Sequence, residues 1–130
     1  MSQRAFVILL AVAWVVQIGV QAQVDPGAEA ACRALVRIPN LTILSAELRE
    51  ADGSAPRQCY VRGLISPAIH YHVQLPLPDQ WNGRVLSWGD GGKDGDLDFA
   101  HHRVAEGYAV ANSNTGHDSG SEPGSSFGFH

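Results

Sequence analysis

Apolar positions along this chain fall into short periodic stretches rather than one long pattern. From Ala28 to Arg37, "AEAACRALVR", Ala31, Leu35 and Ile38 recur at i, i+4 and i+7. That spacing predicts a short amphipathic helix. Asp25 is placed to cap it and Pro26 to open it, and Pro39 ends it. Strand patterns follow. "LTILSAEL" (Leu41 to Leu48) is β-rich and partly alternating. "QCYVRGLI" (Gln58 to Ile65) comes after the turn residues Asp52-Gly53-Ser54 and Pro56. "AIHYHVQLPL" (Ala68 to Leu77) alternates strictly. Ile69, Tyr71, Val73 and Leu75 share one face, and His70, His72 and Gln74 share the other, which reads as a polar sheet face. Pro76 and Pro78 stop it. "RVLSWG" (Arg84 to Gly89) is a short strand running into glycines. Asp96 to Gly107 reads as a helix closed by Gly107, and Tyr108 to Asn114 as a last strand. The pattern therefore predicts hairpins first, then strands alternating with a helix, a βαβ arrangement with a parallel sheet in the second half.

The amino terminus changes the picture of how much chain folds. Arg4 precedes an uncharged run from Ala5 to Val20, and Val20-Gln21-Ala22 offers small residues for cleavage. This is the layout of a secretory signal peptide over residues 1–22. A membrane span needs roughly 20 apolar residues, and this run is shorter and contains Gln17. The expectation is a secreted or periplasmic protein whose folded part is residues 23–130. That part keeps eight basic residues against thirteen acidic ones, a net charge of −5. No basic face is available for nucleic acid or for anionic lipid once the leader is gone. The chain has two cysteines, Cys32 and Cys59. In an exported protein an even pair most simply forms a disulfide.

The stretch richest in chemical possibility is "WNGRVLSWGDGGKDG", Trp81 to Gly95. A strand runs directly into Gly89, Gly91, Gly92 and Gly95. Glycines at such a junction let backbone N–H groups converge on one point, where a phosphate or an oxyanion can sit. Phosphate-loop spacing is not met, because Asp94 follows Lys93 where Ser or Thr is needed. An oxyanion loop and a plain flexible turn both remain open on spacing alone.

The residues themselves carry a resemblance. "LPLPDQWNGRVLSWGDGGKDG" followed by "GYAVANSNTGHDSG" resembles the N-terminal portion of the tannase and feruloyl esterase family. "AACRAL" and "RQCYVRGLI" resemble that family's N-terminal cysteine pair. The similarity runs from Ala31 to about His130. It implies the N-terminal part of an α/β-hydrolase fold, incomplete here: a β-hairpin region followed by the first β-α-β crossover. It implies a secreted serine esterase for small aromatic-acid esters such as those of gallate and ferulate. Such enzymes use a Ser-Asp-His triad and need no cofactor, although a structural calcium can occur in a lid that lies later in the chain. By the same resemblance Gly92, with Gly91 beside it, supplies an oxyanion donor, and the triad is expected beyond His130. Asp90, Lys93 and Asn114 depart from the family's commonest residues.

Gly124-Ser125-Ser126-Phe127-Gly128 matches the G-x-S-x-G of a nucleophile turn. Such a turn lies between a buried apolar strand and a helix. "HDSGSEPGS" before Ser126 contains no apolar residue, so the match reads as coincidence. The expectation is that this chain carries no catalytic residue of its own and shows no esterase activity alone. His70-x-His72 has a zinc-compatible spacing but lacks a third ligand. His101 and His102 sit side by side on the expected helix, about 100° apart, and cannot form one site. His117 follows the last strand and, by the resemblance, either has a structural role or supports residues of the site without reacting itself. Asn40-Leu41-Thr42 is a glycosylation sequon in a host that glycosylates. The competing reading is a small secreted binding module using its acidic, Gly-rich loop for a ligand or cation, although the EF-hand register is missing. A metal-dependent enzyme built on His70 and His72 ranks last.

Overall fold

The computed structural model describes residues 26–89, 95–118 and 120. The chain opens with α1 (Pro26–Ala34) and a single 3-10 turn, η1 (Leu35–Arg37). Five strands follow: β1 (Thr42–Arg49), β2 (Gln58–Ile65), β3 (Ile69–Pro76), β4 (Val85–Ser87) and β5 (Ala109–Ser113). A second helix, α2 (His101–Ala105), lies between the last two strands. The strand order is β1-β2-β3-β5-β4. Among the described residues β1 with β2, β2 with β3 and β3 with β5 pair antiparallel, and only β4 with β5 is parallel.

This overturns the expected fold class. An α/β-hydrolase sheet is largely parallel and carries substantial helices on its faces. The described residues instead form a small mixed sheet with nine-residue and five-residue helices. The physical reason lies in the connections. Gly53 and Ser54 turn the chain between Asp52 and Ala55, which bridge each other, and Ser66–Ala68 turns it between β2 and β3. Such short links can join only antiparallel neighbours.

The helix expected over residues 96–107 is shorter than its pattern. Residues 95–100 run without regular structure and only His101–Ala105 is helical. Backbone groups of the irregular stretch are taken up by the sheet. The Ala100 N–H donates to Gln74 Oε1 at 2.9 Å, and the Asp98 carbonyl accepts from His72 Nε2 at 2.9 Å. Gly107 closes the helix as anticipated. At φ 89° its N–H donates to the Val104 carbonyl while the Tyr108 N–H reaches back to Arg103. This is the paired-bond stop that a left-handed residue permits.

Each side of the sheet has its own core. On one side Cys32, Cys59 and Val61 are buried, with Leu35, Ile43, Ala46, Val73 and Leu75 packed around them. The inward stripe thus runs from buried Cys32 in α1 to half-buried Leu35 in η1, while Ala31 and Ile38, expected to face the core, are exposed. Cys32 and Cys59 form a disulfide with Cα atoms 5.7 Å apart, tying α1 to β2. On the other side Ala100, Val104 and Val110 are buried against Leu86, Trp88 and Tyr108.

Candidate functional site

The site begins at the carboxyl ends of the parallel pair. β4 and β5 run the same way, so the chain leaves both at one end of the sheet. Just past β4, the Trp88 N–H donates to the Ala111 carbonyl at 2.7 Å, and Asn112 Nδ2 donates to the Trp88 carbonyl at 3.1 Å. The chain approaches the 90–94 segment from this fixed point and leaves it at Gly95. Gly95 has φ 69°, and a Cβ there would run into the backbone carbonyl of His117 and stand 2.9 Å from its Nδ1. Only glycine meets both conditions.

Past β5 the chain makes a tightly bonded turn. Asn114 is buried, and its Oδ1 accepts from the His70 N–H at 2.9 Å and the Gly116 N–H at 3.0 Å. The His117 N–H donates to the Asn114 carbonyl at 3.0 Å, and His117 is 3% exposed. Thr115 takes φ 55°, a left-handed value that costs a branched residue. Such strain is held only where surrounding bonds over-determine it, as the two bonds to Asn114 Oδ1 do here. A cavity of about 300 Å³ opens beside this turn, lined by Arg62, His70, Gly95, Asp96, Leu97, Asn114 and Asp118.

A buried polar layer lies under the segment that leads from Gly95 to α2. His72, Gln74 and Gln58 are all almost wholly buried. Tyr60 Oη lies 3.1 Å from His72 Nδ1, while His72 Nε2 lies 2.9 Å from the Asp98 carbonyl. A carbonyl can only accept, so Nε2 carries the proton and Nδ1 accepts from the Tyr60 hydroxyl. Gln74 Oε1 accepts from Ala100, so its Nε2 is the donor, directed at Gln58 Oε1 (3.0 Å) and His101 Nδ1 (3.1 Å). Gln58 Nε2 then donates to the same His101 nitrogen at 3.3 Å. Phe99 covers the layer, 4.9 Å from His72 and 5.1 Å from His101 between ring centres. Burial pushes the His72 pKa below its usual value, with Arg49 and Arg62 acting the same way and the Asp98 carbonyl opposing. Burial, then Arg49, lowers that of His101. Burial raises the Tyr60 phenol, against the nearby Arg49 guanidinium 3.6 Å above its ring.

In part of its length the chain is similar to an esterase. It is 31% identical over 91 residues to the probable feruloyl esterase B-2 of Aspergillus flavus, covering 62% of this chain and 18% of that protein. The chain therefore spans less than a fifth of that relative's length. No protein-family model matches the chain.

Measured against these positions, the sequence-derived candidates divide three ways. Cys32 and Cys59 are joined. Gly91 and Gly92, Ser126, and the signal segment over residues 1–22 lie outside the described residues. His70 and His72 do share a face, but His70 is exposed and the His72 ring is committed to Tyr60 and Asp98. Among the described residues no group of three or more His, Cys, Asp or Glu gathers as a metal site would need. The face of β3 that reads as polar is the more deeply buried of the two. Its signal was available: Gln58 and Tyr60 alternate on β2 as His72 and Gln74 do on β3, and antiparallel pairing sets the two polar sets against each other. Asn112 and Asn114 read as the polar end of a strand, and Asn114 as a departure from the family's commonest residue, yet they hold the stem and turn of the site.

Proposed function

We propose that this chain supplies the N-terminal portion of a secreted carboxylic ester hydrolase that acts on small aromatic-acid esters of the feruloyl or tannin type. In this reading the backbone N–H of Gly92, with Gly91 beside it, stabilises the oxyanion formed when a serine attacks the ester carbonyl. The nucleophile, acid and base come from elsewhere in the longer protein, no cofactor takes part, and neither nucleic acid nor membrane is a partner after the leader is removed. The observation that carries the reading is the 31% identity over 91 residues to a feruloyl esterase. Local geometry supports it. An oxyanion donor must be held still before the reaction, because its value lies in not having to reorganise. The two flanks of the 90–94 segment, Trp88 and Gly95, are held by Asn112 and by close packing on His117. The chemistry would be acyl-enzyme formation followed by hydrolysis.

Reading the coding frame past His130 tests this directly. A continuing frame with a G-C-S-x-G-G element is expected, and its product should hydrolyse methyl ferulate or methyl gallate. Replacing Gly92 by proline there removes the N–H and should lower kcat by about 10²–10³. The 130-residue chain alone should turn over no aryl ester. Turnover by it that disappears in Ser126→Ala would overturn the assignment, and so would an active longer product indifferent to Gly92→Pro.

A further inference from the structure

The segment between η1 and β1 carries a motif that ester hydrolysis leaves unused. Asn40-Leu41-Thr42 fits N-x-T with a non-proline centre. All three residues are exposed. Asn40 forms the second half of a turn at φ 65°, a left-handed value that asparagine tolerates better than most residues. Thr42 is the first residue of β1, which among the described residues lies at one end of the sheet and pairs with β2 alone. The neighbourhood is apolar and open: Val36, Ile38, Leu41 and Leu44 are 42%, 40%, 55% and 53% exposed. An eight-residue edge strand beside such side chains is a template for unwanted pairing. The bulge between Ile43 and Ser45 interrupts that edge at one point.

We propose that Asn40 is an N-glycosylation site whose glycan covers the open edge of β1 and the apolar residues around it. This rests on export through an oxidising route, with which the Cys32–Cys59 disulfide agrees, and it is independent of the esterase reading. The donor is a lipid-pyrophosphate-linked oligosaccharide supplied by the host's transferase. Asn40 Nδ2 forms a bond to the sugar C1 and loses one proton. The C1–oxygen bond to the pyrophosphate breaks, and the lipid pyrophosphate leaves with the electron pair. Nothing is oxidised or reduced. An exposed turn ahead of the strand gives the glycan room without displacing any core side chain, and its hydroxyl-rich surface lies where Leu41 and Leu44 would otherwise meet water.

The test uses the full chain behind a yeast secretion leader, followed by peptide mapping with and without an N-glycosidase. A glycan on the peptide containing Asn40 is expected, lost in Asn40→Gly and Thr42→Ala and kept in Thr42→Ser. Glycine suits the left-handed turn, and Thr42→Ala leaves Asn40 untouched, so one variant keeps the test open if the other fails to fold. An unmodified Asn40 peptide in the secreted chain, beside a control sequon modified in the same cells, overturns the site. Stripping the glycan from the folded protein should shift it to larger species on a sizing column. An unchanged elution overturns the covering role.

Discussion

His101 cannot take a proton at Nδ1 without breaking its own contacts, and His72 takes one at Nδ1 only if the Tyr60 hydroxyl turns from donor to acceptor. His72 Nδ1 receives the Tyr60 hydroxyl, and His101 Nδ1 receives amide donors from Gln58 and Gln74. Protonation would set N–H against N–H at His101. Both pKa values lie below 6.5 in the folded chain, while the unfolded chain titrates at about 6.5. Neither state carries the extra proton well above that pH, so this contribution to stability is complete there. Below 6.5 the unfolded chain binds protons first, and stability falls until the folded-state values are passed. Urea midpoints are expected to drop between pH 7 and pH 5, and to drop less in His101→Gln. A flat profile would contradict the arrangement. Gln74 is the hub of the same layer. Gln74→Leu keeps its bulk but leaves the Ala100 N–H and Gln58 Oε1 buried and unpaired, at about 1–3 kcal/mol for each such group. A loss of about 2–6 kcal/mol in chemical denaturation is expected from the two groups together, with the sheet's circular dichroism retained.

Among the elements, α1 is held by a covalent bond as well as by packing. The Cys32–Cys59 link closes 26 intervening residues. In the chain-entropy account that is worth about 3–4 kcal/mol. The double variant Cys32→Ser, Cys59→Ser should lose that amount in an unfolding titration. Gly95 is the second point of sensitivity. A Cβ there meets His117 backbone, which cannot swing aside as a side-chain tip can. Gly95→Ala should destabilise by about 1–3 kcal/mol, and nuclear magnetic resonance shifts should move first at His117. How far the elements were legible follows from their physics. β2 is bounded as its pattern predicts, and β3 differs by a residue at each end, because proline and turn residues fix strand ends. The second helix was overcalled. A periodic pattern over Asp96 to Gly107 carries no sign that Gln74 and His72, some 26 residues earlier, take up its first backbone groups.

For the whole molecule, the sequence pattern identified the pieces better than their assembly. The turn at Asp52-Gly53-Ser54 was visible, and with it a hairpin-rich first half, but the class inferred from the family resemblance was not what the described residues form. Alternation in β3 separated its two faces and could not say which was interior, since a polar face becomes interior once another polar strand and a capping segment complete its bonds. The candidate site was half legible. Its glycines announce themselves, whereas Asn112, Asn114 and His117 acquire meaning only when β5 lies beside β4.

The two helices grip opposite sides of one sheet by unrelated means, sulfur on the first and neutral imidazole on the second. A reducing agent and a mild acid should therefore undress different faces of the same protein.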